Sequence, residues 1–140
     1  MSDEPKILVH RFYHEVWNRA DEAVARKILH SEFKFRGSLG PERVGPSGFI
    51  GYMRSVHVAL ADYTCEIDHL VTSGTDAAAR MVFHGRHQAE FFGVHATQRT
   101  IRWAGAAFFE TREQQIMSLW VLGDIDSVKA QPGASGQEPF

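Results

Sequence analysis

The sequence predicts an α+β domain in which a curved antiparallel sheet wraps around three N-terminal helices. Two observations carry this expectation. Up to about Leu60 the apolar residues recur at helical spacing, whereas after Asp62 they alternate with polar ones, as in half-buried strands. Helices therefore come first and long strands follow, the order expected when helices cover one face of an antiparallel sheet. A sheet bent around its helices leaves a cavity at its mouth, a place for a ligand.

Ser2 and Asp3 ahead of Pro5 suit a helix start, with an oxygen-bearing cap followed by proline near the first turn. Leu8, Val9, Phe12, Tyr13, Val16 and Trp17 form one apolar stripe, with Arg11, His14, Glu15 and Asn18 opposite. A second, short helix runs from Asp21 to about Leu29. Phe33 and Phe35 flank Lys34 in a short strand, and a loop rich in Gly and Pro extends from Gly37 to Gly48. Phe49, Tyr52, Met53, Val56 and Leu60 mark a third helix with one apolar face. Cys65, Ile67 and Val71 then alternate with Glu66, Asp68 and Thr72 in a half-buried strand, and Ser73–Asp76 makes a turn. Two long strands over about 77–90 and 98–110 are joined by FFGVHAT, and a last strand runs from Gln115 to about Asp124. The domain spans 1–130, and the QPGASGQEPF stretch from Gln131 reads as a flexible tail.

The 140 residues suffice for one domain with a real core. A formal net charge of -2, with no run of Lys and Arg, argues against a nucleic-acid partner, which requires a concentrated basic patch. No segment approaches the ~20 apolar residues of a spanning helix, and the start, MSDEPKILVHRF, lacks the features of a secretory signal. No membrane partner is expected. The single cysteine, Cys65, has no internal partner and reads as a buried strand residue, which fits a reducing, cytoplasmic setting.

Eight histidines raise the question of a metal. His10 and His14 are four apart on a helix but sit away from the apolar stripe, without the intervening Glu of an H-E-x-x-H site. His84 and His87 are three apart on a strand and face opposite ways. No metal is expected. His87 shares parity with Met81, Phe83 and Gly85, so it faces the apolar side; it is either satisfied by local hydrogen bonds or a pocket residue. Gly85 leaves space there for a ligand or another chain segment. His69 falls on the parity of Cys65, Ile67 and Val71, with the same two readings. On the last strand, Ile116, Ser118, Trp120, Leu122 and Asp124 share one face, and Met117, Leu119, Val121 and Gly123 the other. Asp124 is either a partly desolvated acid able to work near neutral pH, or a strand end that meets water or caps a turn.

Three segments, 12-FYHEVWNRAD-21, 85-GRHQAEFFGV-94 and 115-QIMSLWVLGD-124, resemble the SnoaL-like ester cyclases of polyketide biosynthesis. These belong to the superfamily of cone-shaped α+β barrels related to nuclear transport factor and ketosteroid isomerase. The resemblance extends from about Ile7 to Gln131. Gly85, His87, Glu90, Phe91, Phe92 and Gly93 match the family's G-T-H-x-G-E-F-F-G pattern, with Arg86 and Ala89 departing from it. Trp120 and Asp124 match its closing Trp and Asp. Other departures are Ser118 and Leu119 before the Trp, 113-EQQ-115 in place of an Asp-Gly-Lys turn, and 94-VHATQ-98 in place of a proline-bearing loop.

The resemblance implies intramolecular aldol closure of an aromatic polyketide methyl ester, without metal or organic cofactor. It implies Asp124 as catalytic acid and base, with His87, Tyr13 or a backbone donor stabilising the oxyanion. Tyr13, Trp17, Tyr52, Phe83, Phe92, Trp103 and Trp120 are the aromatic residues expected to bind a hydrophobic small-molecule substrate. Cone barrels of this kind pair through the open sheet face, so a homodimer or tetramer is expected. Two other functions compete: a protein of the same fold that binds a small hydrophobic ligand without chemistry, and an isomerase or epoxide hydrolase. The epoxide reading requires two acids around Arg80 or Arg102, and the sequence assembles them around neither.

Overall fold

The first helix, α1 (Glu4–Arg11), continues without a break through Phe12–Trp17 as π-helical turns. The Asn18 N–H closes this wider turn on the Tyr13 carbonyl at 2.9 Å, and Phe12, Tyr13, Val16 and Trp17 are all buried. This computed structural model describes residues 4–37, 42–91 and 95–130. The expected cap at Ser2 and Asp3, the turn residues Phe92, Gly93 and Val94, and the tail from Gln131 lie outside the described residues.

Helix α2 (Glu22–Ile28) starts at its Asp21 cap, whose carboxylate accepts the Val24 N–H at 3.0 Å. Strand β1 (Leu29–Arg36) is longer than expected because Leu29 already pairs with the last strand. The expected Gly37–Gly48 loop contains β2 (Arg43–Val44) and the start of α3 (Gly45–Ala59), where Pro46 suits the first turn. Then come β3 (Leu60–Ser73), β4 (Asp76–His87), β5 (Thr100–Arg112), β6 (Gln115–Gly123) and α4 (Ile125–Ala130). Strand β4 ends at His87, short of the expected 90, because the Gln88 and Ala89 N–H groups leave the ladder and donate to the Ala59 carbonyl.

The six strands form one sheet in the order β2-β1-β6-β5-β4-β3, antiparallel except for the β1–β6 pair. Strands β2 and β3 stay at opposite edges, so the cone remains open. The edge of β3 is held by a side chain instead of a strand: Asn18 donates to the Cys65 carbonyl at 3.0 Å and accepts its N–H at 2.8 Å. The α+β expectation holds, with helices on the concave face and the core between the two layers.

Extra residues in the strands decide which face each side chain takes. Alternation is regular along β4, where Met81, Phe83, Gly85 and His87 are all buried. On β3, Ile67 pairs with Met81 but His69 with Arg80, so Asp68 is an extra residue. Beyond it Leu70 turns inward, and His69 and Val71 are exposed, contrary to the expected parity. On β6, Ile116 pairs with Thr111 but Ser118 with Glu110, which makes Met117 the extra residue. Ile116, Leu119 and Val121 therefore point into the core, and Trp120 and Leu122 point out.

Gly85 proves to be a packing requirement set by β3. A Cβ there would sit 2.9 Å from Leu60 Cβ and 3.3 Å from the Ala61 carbonyl oxygen, neither of which a rotamer change can move. Gly85→Ala is expected to destabilise the fold by about 1–3 kcal/mol through overpacking. The denaturant midpoint of the variant at unchanged slope measures this.

Candidate functional site

Between the helices and the concave face lies a cavity lined by Tyr13, Trp17, Phe35, Gly37, Tyr52, Val56, Tyr63, Phe83, Phe91, Trp103, Leu119, Val121 and Ile125. It encloses about 40 Å³, and about 520 Å³ with its open mouth included. No Asp, Glu, Lys, Arg or His is among these lining residues. The π-helical turns supply Tyr13 and Trp17, α3 supplies Tyr52 and Val56, α4 supplies Ile125, and the strands supply Phe35, Tyr63, Phe83, Trp103, Leu119 and Val121. Small residues make the room: a Cβ on Gly105 would lie 2.6 Å from the Phe83 ring.

The wall is a network of ring contacts. Trp17 meets Phe49 edge-on at 5.4 Å and Tyr63 at 5.3 Å between centroids, and Phe83 lies 5.5 Å from Trp103. Such pairs contribute about 0.5–1.5 kcal/mol each beyond the burial of their area. They hold the lining rings in place on both sides of the cavity.

Tyr13, Tyr52 and Tyr63, all the tyrosines of the chain, line this one cavity. Burial raises the Tyr13 and Tyr63 phenols well above the ordinary range, and pushes Tyr52 up to about 12. Each therefore remains a neutral O–H donor at physiological pH. Burial also pushes up the thiol of Cys65, two residues from Tyr63 on β3. The Tyr13 hydroxyl is sealed from solvent and has no hydrogen-bond partner among the described residues. Leaving it unpaired costs about 1–3 kcal/mol, as much as burial of its ring contributes. Phenylalanine would serve the fold better.

The sequence-predicted residues divide sharply. Tyr13, Trp17, Tyr52, Phe83 and Trp103 line the cavity. Phe92 lies outside the described residues, and its neighbour Phe91 lines the cavity. Trp120 does not: the extra residue at Met117 turns it to the outer face, where it is 43% exposed. His87 is fully buried but outside the lining. Its ring bonds Thr97 at 3.1 Å, its N–H donates to Arg99, and its carbonyl accepts from Gln98, which ties residues 95–99 back to β4.

Asp124 is exposed, which matches the strand-end cap of its two expected readings and not the partly desolvated acid. It follows Trp120 and Leu122 on the outward parity of β6, and its carboxylate accepts the Ser127 N–H at 3.1 Å as the cap of α4. It adjoins Ile125, which does line the cavity. Sequence analysis missed α4, although Asp124 ahead of Ile125 and Val128 was a readable cap and apolar spacing. Tyr63, Phe35 and Leu119 were also missed as lining residues; the face of Leu119 depends on the register shift at Met117.

His10 and His14 have ring centroids 5.3 Å apart on the helix surface, and among the described residues no His, Cys, Asp and Glu gather into a metal-binding group. Arg80 lies on the outer face and pairs with Asp68 at 2.7 Å. No helix among the described residues is long and apolar enough to cross a membrane.

The family model of the SnoaL-like polyketide cyclases matches residues 7–131. The chain belongs to this family. Among solved structures it is similar to a candidate SnoaL-like polyketide cyclase from Jannaschia sp. CCS1, with a TM-score of 0.87 at 14% identity over 95% of this chain and 94% of that one. It is also similar to AclR, a candidate hydroxylase from Streptomyces galilaeus (TM-score 0.81, 19% identity, covering 96% and 98%). A third is a protein of ketosteroid isomerase-like fold from Catenulispora acidiphila, solved with trimethylamine (TM-score 0.77, 16% identity, covering 90% and 92%). No curated protein matches the sequence. At these identities the SnoaL-like cone fold is what the structures share.

The buried phenols make the protein sensitive to alkali. A phenol whose folded pKa is raised contributes its stability in full below the unfolded value of about 10, and loses it as pH rises through the folded value. Absorbance titration is expected to show no tyrosinate around pH 10. The tyrosinate signal should rise together with unfolding toward pH 12 and above, measured by circular dichroism on the same samples.

Proposed function

We propose that this SnoaL-like protein is a cofactor-independent cyclase that closes a ring in a neutral, carbonyl-rich aromatic ester. The observation that carries the reading is the aromatic cavity, which reaches Val121 at the end of β6 and Ile125 at the start of α4 and has no charged lining residue. An uncharged wall suits a flat apolar substrate, excludes water and holds two substrate carbons close together. Asp124, next to the lining residue Ile125 and held by the Ser127 N–H, is the acid and base of the reaction.

In this mechanism an Asp124 carboxylate oxygen takes the proton from the carbon between ester and carbonyl. The resulting enolate carbon forms a bond to a second carbonyl carbon, and that carbonyl's oxygen takes the proton back from Asp124. The product is a ring of the same composition as the substrate. Asp124→Asn is expected to lower ring closure of an aromatic polyketide methyl ester by about 10²-fold or more while the fold persists. Chromatography with mass detection follows the product. Closure that survives the substitution removes Asp124 from the mechanism.

The absence of a charged group from the described lining favours a second reading, a protein that binds the same class of molecule without chemistry. Ligand binding by wild type and variant alike, with no closure in either, selects it.

We further propose that two copies pair through the outer sheet face. Val71, Ala78, Phe108, Trp120 and Arg36 form one cross-strand register row there, with the Arg36 guanidinium 5.1 Å from the Trp120 ring. Val71, Phe108, Trp120 and Leu122 are each at least 43% exposed, an apolar patch that a second copy of the face would cover. Sedimentation is expected to give a dimer that Trp120→Glu converts to a monomer; a monomeric wild type overturns the pairing.

A further inference from the structure

We infer that Arg43 sets specificity at the edge of the cavity, where its guanidinium takes the carboxylate of an aromatic ligand whose rings lie along the uncharged wall. The inference rests on the reading of this cavity as the substrate site. That reading covers the neutral part of the ligand inside the wall, and Arg43 adds an ionised substituent at its edge.

Topology places Arg43 beside the cavity. It lies on the edge strand β2 and pairs directly with the lining residue Phe35 on β1. Residues opposite each other in a ladder share a face, so the Arg43 side chain stands on the concave side with the Phe35 ring. The next pair, Lys34 and Val44, is exposed, as alternation requires. The Arg43 guanidinium carbon lies 4.9 Å from the ring centroid of Tyr52, a second lining residue, and that ring is 5.2 Å from Phe35. Gly37 keeps the ground beside these two rings clear, since a Cβ there would sit 3.0 Å from the Phe35 ring and 3.3 Å from the Tyr52 hydroxyl. Arg43 is half-buried next to the wall without being part of its lining.

The charge placed there lacks a counter-charge. Arg11, Arg54, Arg80 and Arg86 pair with the carboxylates of Glu15, Glu22, Asp68 and Asp62. Arg43 has no carboxylate partner among the described residues and rests on the Tyr52 ring instead. The adjacent Glu42 is exposed and forms no ion pair among the described residues, and the preceding stretch 37-GSLGP-41 contains no Asp or Glu. Contact with a ring face engages the cation but leaves its N–H donors unspent, and a carboxylate matches their fork in bidentate fashion. The charge acts on the wall itself: burial raises the Tyr52 phenol, and Arg43 opposes that rise. An anion inside the uncharged lining would lose its hydration without compensation, whereas at the β2 edge it meets a guanidinium.

The test uses 2-naphthoate and methyl 2-naphthoate, one ring system with and without an ionised end. Protein NMR titration gives both affinities for wild type, Arg43→Gln and Arg112→Gln, the last removing an equal charge from the exposed end of β5. The expected result is about tenfold weaker binding of 2-naphthoate by Arg43→Gln, with methyl 2-naphthoate unchanged. Arg112→Gln should match wild type for both ligands. Raising sodium chloride from about 0.05 to 0.5 M should weaken 2-naphthoate binding to wild type and spare the ester. A structural role of Arg43 would move both ligands together, and the unchanged ester affinity reports an intact cavity. Equal losses for both ligands, a naphthoate affinity that ignores Arg43, an equal loss in Arg112→Gln, or no binding of 2-naphthoate to wild type overturns the inference. Neither ligand has a ring to close, so these readouts are independent of turnover. Naphthoate selection through Arg43 in a protein that cyclises nothing sinks the cyclase reading alone. Ring closure by a protein whose naphthoate affinity ignores Arg43 sinks this inference alone.

Discussion

A strand side chain has only two directions, and in this protein single extra residues choose between them. Met117 shifts the pairing of β6 with β5 by one position, so Ile116, Leu119 and Val121 all reach the concave side although strict alternation separates the first from the other two. The cavity wall, the exposed row through Trp120 and the position of Asp124 at the strand exit follow from that shift. Asp68 acts in the same way on β3, where Leu70 replaces His69 and Val71 on the inner face.

With the faces set, the concave side is filled by rings and kept open by small residues. Gly105 makes room for the Phe83 ring, and Gly85 lets β3 approach close enough for Tyr63 to stand in the wall. The π-helical turns then deliver Tyr13 and Trp17 side by side. Hydrophobic burial accounts for the rings. It does not account for three phenols in one apolar cavity, whose hydroxyls cost more to desolvate than they return to the fold unless they find partners.

Family membership narrows the chemistry less than it narrows the fold, because one scaffold carries different reactions according to the groups around its cavity. In this chain the groups around the cavity are phenyl, phenol, indole and aliphatic side chains, and the carboxylate that the family pattern selects caps α4 beside the lining residue Ile125. The GRHQAEFFG stretch serves several ends. Gly85 accepts the approach of β3, His87 ties residues 95–99 to the end of β4, and Phe91 lines the cavity.

The α+β class, the order of helices and strands, and five aromatic lining residues were legible in the sequence, because period and residue type are local properties. The Asp21 cap and the inward parity of Phe83 and His87 were legible for the same reason. Residues whose direction depends on a partner strand were not. Trp120 read as a pocket residue and lies outside, while Leu119 lies inside, because an extra residue is visible only when two strands are paired. Asp124 read equally well as a desolvated acid or a cap, and the turn into α4 decided for the cap. The unpaired Tyr13 hydroxyl is likewise a property of tertiary structure alone: an apolar helical stripe specifies that the ring is buried, and only the packed surroundings determine whether its oxygen finds a partner.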